Sequence, residues 1–511
     1  MKRKKNSSEV NRRAFLKNTS VAAFMAMMGG VELTAPGGRP SQTRRVAAGL
    51  GGAEPAAFGA AGAPQPAGAE APLTEIPPLP AVNFGVIGAG VWGRKIITIL
   101  TLLKNDSQFR NTEVVAVCDH YPGWLNRAGG LALKAERFDD YQKLLAKPEV
   151  QAVVVATPTH QHRDIVLDAL KAGKHVYCEA PLAHTLADAK DIARAAQKAF
   201  KQVFQAGLQE RSHPHRYFLW PFIRSGAMGR NVLVRAQWHK KGLWARTAST
   251  PERAAELNWR LQKATSTGLM GEACIQRLDA VTWFLGGPHL GGRPSVVTGY
   301  SSLILENAGP DVPDTVQCVF EFPEGANAGV RFLCDATLCS SFDSEYEMYY
   351  GTDSAILMQP GNETRESKAW MFKEEDAPLL GWEVYARKDN FGAETGVSLV
   401  ANASKQSAQT SQGVAAAAAP PAVEPLQYAL QSFTANAGAV AAAAKDYEEL
   451  FGDADTPDYR AKLAETRKFT LAQFPAAGWE EGLEATVLAI KANEAAFLKQ
   501  RLELKNEFFE L

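Results

Sequence analysis

Short apolar runs alternate with amphipathic segments in the first half of the chain. The runs at residues 82–87, 114–118 and 150–156 are apolar at successive positions, and segments with helical spacing of apolar residues separate them. Strands that are apolar on both faces are typical of parallel sheets covered by helices. The pattern therefore predicts an α/β fold, a doubly wound parallel sheet over residues 82–206, whose ligands bind beyond the carboxyl ends of the strands.

After residue 206 the spacing of apolar residues changes. Four segments alternate apolar and polar residues as half-buried antiparallel strands do, and a fifth has the pattern of a hairpin. They are residues 231–240, 295–305, 316–322, 329–336 and 346–358. Two segments near the C terminus, 426–445 and 480–498, have helical spacing. We expect a second, α+β domain over residues 207–511 with a large open, mainly antiparallel sheet, interrupted by a low-complexity insertion at 398–425.

The first 81 residues have neither pattern. Residues 1–34 combine a basic start, the pair Arg12-Arg13 and a short apolar stretch, which is typical of a Tat export signal. Residues 35–81 are rich in Ala, Gly and Pro and predict a flexible linker. We therefore expect export by the Tat route and a periplasmic or envelope-associated location. A cytosolic protein with a basic tail is the alternative.

Composition narrows the classes of partner. The apolar stretch of the leader is shorter than the ~20 residues that span a bilayer, so stable membrane insertion is not expected. The formal net charge of +0 over 511 residues gives no reason to expect a nucleic-acid partner. The six cysteines form no CxxC and no metal-ligand spacing, so we expect no metal site. Cys334 and Cys339 could pair in an oxidising compartment.

A glycine-rich turn follows the first apolar run directly. Gly88, Gly90 and Gly93 have the spacing GxGxxG, with Val91 and Trp92 between the last two. In a dinucleotide-binding unit the first glycine permits the tight turn, the second lets the backbone approach a pyrophosphate, and the third lets helix and strand pack closely. The phosphates then lie at a helix N-terminus, where free N–H groups favour anions. A glycine turn without a ligand is the alternative.

The second apolar run ends in an acidic residue. Asp119 is placed to accept hydrogen bonds from the hydroxyls of an adenosine ribose. The same carboxylate would repel a 2′-phosphate. The sequence therefore predicts NAD as the cofactor, with NADP less favoured.

Further motifs follow the glycine turn in a fixed order. They are Ala156-Thr157-Pro158-x-x-x-His162, Gly173-Lys174-His175-Val176-x-Cys178-Glu179-x-Pro181-Leu182, Gln205-x-Gly207-x-Gln209 and Leu257-Asn258-Trp259-Arg260. Together they resemble the Gfo/Idh/MocA oxidoreductases, a family that includes glucose-fructose oxidoreductase and inositol dehydrogenase. The resemblance covers the chain from about residue 82 to the C terminus, apart from the insertion. It implies a carbohydrate substrate and a homo-oligomer formed through the second sheet. It also implies further cofactor contacts at Thr157, Pro158, His162, Glu179, Ala180 and Gln209.

The usual proton-transfer groups of that family are altered here. The lysine of its Glu-Lys-Pro motif is Ala180, and its Asp-x-x-x-His pair corresponds to Glu272 and Gln276. An alanine cannot transfer a proton, and a glutamine can bond a sugar hydroxyl but has no useful pKa. Glu272 would act as acid or base if partial burial raised its pKa; a favourable charge at a helix start is the alternative.

Other candidates follow from the same resemblance. His162 is a candidate for a catalytic, ribose-side or merely structural role. Trp259 and Arg260 could stack on and bind a carbohydrate, or could be a packed tryptophan with its own ion pair. Three functions stay open: a sugar oxidoreductase with an atypical site, an NAD-dependent enzyme that cleaves glycosides by transient oxidation, and a non-catalytic nucleotide- or sugar-binding protein.

Overall fold

Six parallel strands form the first sheet, in the order β3-β2-β1-β4-β5-β6. They are β1 (Val82–Ile87), β2 (Thr112–Cys118), β3 (Glu136–Phe138), β4 (Ala152–Val155), β5 (His175–Cys178) and β6 (Phe204–Ala206). Helices α1 (Val91–Leu103), α2 (Pro122–Leu131), α3 (Tyr141–Leu145), α4 (His162–Lys171) and α5 (Leu186–Lys198) connect them. The predicted doubly wound sheet is confirmed. The short edge strand β3 was not predicted, because three residues carry too little periodicity.

This computed structural model describes residues 79–224, 227–242, 244–286, 292–305, 311–361, 367–374, 377, 387–391, 394–399 and 423–511. The predicted Tat-type region 1–34 and residues 35–78 of the predicted linker lie outside the described residues. So do residues 400–422 of the predicted insertion.

Ten strands form the second sheet, in the order β14-β15-β13-β12-β11-β7-β10-β9-β8-β16. They are β7 (Asn231–His239), β8 (Val296–Ser302), β9 (Thr315–Glu321), β10 (Arg331–Thr337), β11 (Glu345–Gly351), β12 (Ser354–Gln359), β13 (Lys368–Lys373), β14 (Arg387–Phe391), β15 (Glu394–Leu399) and β16 (Arg501–Glu503). Only the β7–β10 pair is parallel among these described strands. The predicted mainly antiparallel sheet and its hairpin β11–β12 are confirmed.

Seven helices follow the first sheet in the described part of the chain. They are α6 (Pro214–Arg224), α7 (Pro251–Leu257), α8 (Gly268–Glu272), α9 (Ile275–Phe284), α10 (Pro425–Phe451), α11 (Pro457–Gln473) and α12 (Trp479–Leu498). Helix α10 returns to the first sheet, where the ring of Phe433 lies 5.9 Å from that of Phe84 and 5.7 Å from that of Tyr177. Helix α12 is joined to the loop after β5, because the Leu182 N–H donates to Thr486 Oγ1 at 3.0 Å.

The possible disulfide between Cys334 and Cys339 is wrong. All six cysteines are free thiols. Cys334 is buried opposite Cys318 on the neighbouring strand, whereas Cys339 lies beyond the end of β10. Burial raises the pKa of the Cys318 thiol well above its usual range, so it remains in the unreactive, protonated form.

Candidate functional site

The glycine turn has the close contacts that its spacing predicts. Gly88 has φ of +96°, and a Cβ there would lie 2.6 Å from the Ala156 carbonyl oxygen. A Cβ on Gly93 would lie 1.8 Å from the Gly88 carbonyl oxygen. A Cβ on Gly90 would meet nothing nearer than the Trp124 ring at 3.6 Å, so space stays open above the backbone at the start of α1. Val91, the first residue of α1, is 73% exposed. This geometry fits a pyrophosphate resting on a helix N-terminus.

Asp119 is fastened to the same turn. Its Oδ2 accepts a hydrogen bond from the Ala89 N–H at 2.8 Å, and its Oδ1 accepts one from the Tyr121 N–H at 2.8 Å. The carboxylate is thereby fixed at the carboxyl end of β2, and each oxygen retains a lone pair for a further donor. Tyr121 continues into an aromatic patch, its ring 5.7 Å from that of Trp124. The adenosine half of a dinucleotide would meet this carboxylate and patch.

A hydrogen bond crosses from the turn to the end of β5. The indole Nε1 of Trp92 donates to Oε1 of Glu179 at 2.8 Å. Burial raises the pKa of Glu179 to about 7, and the hydrogen bond from Trp92 opposes the shift. Glu179 also closely approaches the end of β6, since a Cβ on Gly207 would lie 2.8 Å from its Oε2. A carboxyl group with a near-neutral pKa therefore lies where strands β1, β5 and β6 end.

The raised pKa of Glu179 gives a pH-dependent stability. Between the ordinary pKa near 4.5 and the folded value near 7, the unfolded chain loses this proton while the folded chain keeps it. Folding then takes up a proton, so the free energy of unfolding falls as pH rises through this window. Urea titrations at several pH values between 4 and 8 should show this fall in the wild type and a smaller one in Glu179→Gln. Parallel profiles for the two proteins would contradict the assignment.

His162 is buried between two loops, and its polar contacts within the described part of the chain are with backbone carbonyls and a thiol. Its Nδ1 lies 3.0 Å from the Pro181 carbonyl oxygen and its Nε2 lies 2.9 Å from that of Thr157. The Cys178 thiol lies 3.6 Å from the same Nδ1. Burial lowers the pKa of His162 to about 4. The geometry favours the structural alternative, in which the ring holds Thr157 and Pro181 in place. The hydroxyl of Thr157 is buried without a hydrogen-bond partner among the described atoms.

Both polar atoms of the Gln276 side-chain amide form hydrogen bonds with the loop after β6. Its Nε2 donates to the Gly207 carbonyl oxygen at 2.8 Å, and its Oε1 accepts from the Gln209 N–H at 3.0 Å. A carboxamide presents one donor and one acceptor side by side, which matches this stretch of backbone. Gln276 therefore fixes the loop that carries Gln209.

Replacing Gln276 with glutamate tests this arrangement. The substitution removes the donor to Gly207 and puts a carboxylate oxygen against its carbonyl oxygen. We expect the free energy of unfolding to fall by about 1–3 kcal/mol. Gln262→Glu is the matched control, because the Gln262 amide also donates to a carbonyl, that of Ala255 at 3.3 Å, but in an exposed place. Urea denaturation of both variants measures the difference, and equal effects would show that the Gln276 contacts do not hold the loop.

Glu272 is buried and surrounded by donors. The hydroxyls of Thr159 and Thr267 donate to its Oε1 at 3.0 and 2.8 Å. The Nε of Arg260 lies 3.5 Å from its Oε2. Thr159 belongs to the short turn after β4, so this carboxylate joins the first domain to helix α8 of the second domain. These three donors hold the carboxylate in one position, so the geometry suits an anchor between the two domains.

Trp259 and Arg260 pack on one another beside Glu272. The Arg260 guanidinium lies 4.3 Å from the centre of the Trp259 ring. The centre of the His160 ring lies 6.1 Å from the centre of the Trp259 ring. Trp259 is only 9% exposed, whereas the Arg260 side chain is 46% exposed. The structure thus favours a packed tryptophan that supports an accessible arginine.

A buried ring of four charged side chains includes the chain neighbours of Gln209 and Gln276, and the sequence pattern does not predict it. Arg216 donates to Glu210 at 2.8 Å and to Glu347 at 2.5 and 2.8 Å. Arg277 donates to the same two carboxylates at 2.6 and 2.5 Å, and Tyr349 donates to Glu347 at 2.9 Å. Two cations and two anions compensate each other. Glu210 and Arg277 directly follow Gln209 and Gln276 in the chain, so the ring fixes the base of the crevice. The sequence feature that could have indicated this ring is Arg277, an arginine among the apolar residues of α9.

The described residues contain no group of three or more His, Cys, Asp or Glu side chains placed to hold a metal ion. Within the same residues, no helix has both the length and the apolar character needed to cross a bilayer.

The fold and the crevice define a two-domain protein with a Rossmann domain of the dinucleotide-binding type and a second domain built on a large, mainly antiparallel sheet. A model of the NAD-binding Rossmann domain of the oxidoreductase family GFO_IDH_MocA matches residues 82–207, and a model of the GFO/IDH/MocA C-terminal domain matches residues 221–350. These ranges hold 126 and 130 residues, together half of the 511-residue chain. The chain belongs to the Gfo/Idh/MocA family.

Individual relatives agree with this assignment. The chain is 32% identical over 205 residues to an inositol 2-dehydrogenase of Salmonella typhimurium, covering 40% of this chain and 54% of the relative. It is 26% identical over 259 residues to levoglucosan dehydrogenase of Pseudarthrobacter phenanthrenivorans, covering 48% of this chain and 63% of the relative. The chain thus matches about half of each curated relative's length. A levoglucosan dehydrogenase solved with NADH and levoglucosan has the same fold, with a TM-score of 0.55, 18% identity and coverage of 83% of this chain and 100% of that chain.

Proposed function

We propose that this protein is an exported, NAD-dependent oxidoreductase that acts on a sugar or sugar derivative through an atypical active site. The observation that carries the proposal is the open glycine turn and the half-buried carboxyl of Glu179, which accepts a hydrogen bond from Trp92 of that turn. Backbone N–H groups and open space suit the diphosphate, and the ends of β4 and β5 border the nicotinamide side. The relatives named inositol 2-dehydrogenase and levoglucosan dehydrogenase support the substrate class.

The adenosine side supports NAD in preference to NADP. Asp119 is buried and fixed by two backbone N–H groups, so its carboxylate cannot swing away from an incoming 2′-phosphate. Titration calorimetry with each dinucleotide tests this. Tighter binding of NADP would overturn the assignment.

The bound nicotinamide would supply the chemistry of hydride acceptance from a substrate carbon. Glu179 is the group that we assign to hold the hydroxyl proton, because its pKa near 7 lies in the working range of an acid or base. Ala180 leaves space where the family has a lysine, and Gln276 positions the Gln209 loop. Glu272 keeps Arg260 and the loop after β4 together.

Purified protein tests the activity. We expect NAD to bind and absorbance at about 340 nm to rise on addition of a suitable sugar or cyclitol. Glu179→Gln should retain NAD binding but lose most of the hydride transfer at neutral pH. Bound nucleotide with no hydride transfer across a broad panel of sugars would leave the non-catalytic alternative.

The variant Ala180→Lys tests how a lysine at this position changes the pH dependence of the activity. A lysine here would place an ammonium group beside Glu179, where an opposite charge lowers the pKa of a carboxyl group. We expect the pH at which activity is half-maximal to shift to lower values, read from the pH dependence of kcat/KM. Ala180→Met controls for size without charge. An unchanged pH profile in Ala180→Lys would remove Glu179 from proton transfer.

A second candidate retains the cofactor but ends in cleavage of a glycosidic bond. It is favoured by Ala180, because transient oxidation followed by elimination does not require the usual lysine. Release of an aglycone without net formation of NADH would support it in preference to simple dehydrogenation.

Export and assembly belong to the same proposal. The twin arginine at residues 12–13 supports the Tat route, and replacing both with lysine should keep the protein in the cytoplasm in a cell-fractionation experiment. The broad second sheet supports a homo-oligomer, which sedimentation analysis of the full chain can test.

A further inference from the structure

Arg260 presents a fixed but unused pair of hydrogen-bond donors at the crevice. Its Nε faces the buried Glu272, and its plane is supported by Trp259 at 4.3 Å and approaches Trp244 at 5.9 Å. No described residue accepts a hydrogen bond from its Nη1 or Nη2, and the side chain is 46% exposed. An arginine held by stacking and by its Nε loses little freedom when its outer edge binds a planar anion.

Arg260 also lies close to the reaction region. Glu272, its partner, accepts a hydrogen bond from Thr159, two residues after Thr157 at the end of β4. The carboxyl ends of β4 and β5 form the nicotinamide side of the crevice. Arg260 is thus connected, through Glu272, to the loop at the carboxyl end of β4.

The neighbouring segment adds positive charge. Lys240, Lys241 and Arg246 lie on the chain between β7 and α7, are exposed, and have no ion-pair partner among the described residues. This segment is fastened beside Arg260, because the Arg246 N–H donates to Asn258 Oδ1 at 2.6 Å and Asn258 Nδ2 donates to the Arg246 carbonyl at 2.9 Å. Three exposed cations therefore lie on the segment that is hydrogen-bonded to Asn258, two residues before Arg260.

We propose that the substrate is a sugar acid, such as a hexuronate, whose carboxylate binds the free edge of Arg260. This inference rests on the proposed function and names its substrate class. The stacked guanidinium fixes the ring relative to the nicotinamide side, and the cations of the 240–246 segment attract the anion. A neutral sugar would leave the charges of this border unpaired.

Titration calorimetry of the NAD-loaded full chain tests the proposal without relying on turnover. The ligands are D-glucuronate and D-galacturonate, with D-glucose and D-galactose as matched neutral sugars. We expect the acids to bind about tenfold or more tightly than the neutral sugars. Arg260→Gln should abolish this preference. Arg260→Lys should restore only part of it, because an ammonium is a point charge without the planar fork.

Arg331→Gln is the matched control. Arg331 is also 46% exposed and has an equally long contact with a carboxylate, 3.6 Å to Glu321, but it lies on the second sheet away from the crevice. It should leave the preference for acids unchanged. Thermal unfolding of each variant shows whether it is folded, and Arg260→Lys provides a second test if Arg260→Gln is unstable.

Several results would overturn the proposal. They are equal or tighter binding of the neutral sugars, an unchanged preference in Arg260→Gln, tighter binding of glucose 6-phosphate than of either uronate, and no binding of any of these ligands. Hydride transfer is read separately by absorbance. Uronate binding that depends on Arg260, without reduction of NAD, would sustain this proposal and overturn the proposed activity, and oxidation of neutral sugars alone would do the reverse.

Discussion

Replacing Glu347 with alanine is expected to lower the free energy of unfolding by about 3–5 kcal/mol, because it leaves buried arginines without their counter-charge. The Glu347 carboxylate accepts hydrogen bonds from Arg216, Arg277 and Tyr349, and none of the four side chains is appreciably exposed. The coulombic attraction of Arg216 and Arg277 also holds the pKa of Glu210 well below its usual range. Removing Glu347 therefore leaves two guanidinium groups beside one carboxylate.

Urea denaturation of purified variants measures this loss. Glu347→Gln keeps the shape and some acceptors but removes the charge, so its loss should be intermediate. Glu321→Ala is the control, because Glu321 forms only long ion pairs with Arg331 and Arg501, at 3.6 and 3.5 Å, on the exposed side of the sheet. Such pairs contribute about 0–1 kcal/mol. A loss in Glu347→Ala no larger than in Glu321→Ala would show that the ring does not stabilise the fold.

Gly93→Ala should abolish dinucleotide binding. The new Cβ would lie 1.8 Å from the Gly88 carbonyl oxygen, a backbone atom that cannot move without opening the turn. Opening the turn displaces the N-terminus of α1 from the end of β1, and with it the N–H groups that would hold the diphosphate. We expect NAD affinity to fall by about 100-fold or more, since a loss of roughly 3 kcal/mol corresponds to that factor. Calorimetry with NAD and the change in thermal midpoint on adding NAD measure the effect.

Gly130→Ala provides the matched control in the same domain. Gly130 lies in α2, and a Cβ there would meet nothing within 4 Å. In a helix this change removes backbone freedom from the unfolded chain and should stabilise the protein by about 0.5–1 kcal/mol. NAD affinity should stay at its wild-type value. If Gly93→Ala bound NAD as tightly as Gly130→Ala, the diphosphate site would not be at this turn.

The first sheet shows which elements of the fold can be predicted from local sequence patterns. The run at 82–87, the glycine turn and helix α1 are adjacent in sequence, and their geometry depends on contacts within a few residues, so the spacing alone predicts them. In the second sheet, strands β13 to β16 and helix α11 were not predicted. Most residues of helix α11 are exposed and only Tyr459 and Leu463 are buried, so its apolar period is weak.

Some features of the site can likewise be predicted from the sequence, and others depend on the tertiary structure. Asp119 and Glu179 end strands of a parallel sheet, and such residues lie at one edge whatever the rest of the chain does. The near-neutral pKa of Glu179 is different, because it depends on burial beneath a turn 87 residues away. Gln276 appeared to be a lost histidine, and only the positions of Gly207 and Gln209 show that its amide matches their backbone.

The sequence by itself determined the class of fold, the dinucleotide turn and the family, because these depend on periodicity and on motifs of short spacing. The tertiary structure decided which polar residues are satisfied and which remain free for a substrate. Arg216 and Glu347 are 131 positions apart, and Glu272 and Thr159 are 113 apart. No local pattern records such pairs, since they arise only when two sheets pack together and exclude water from the charges between them.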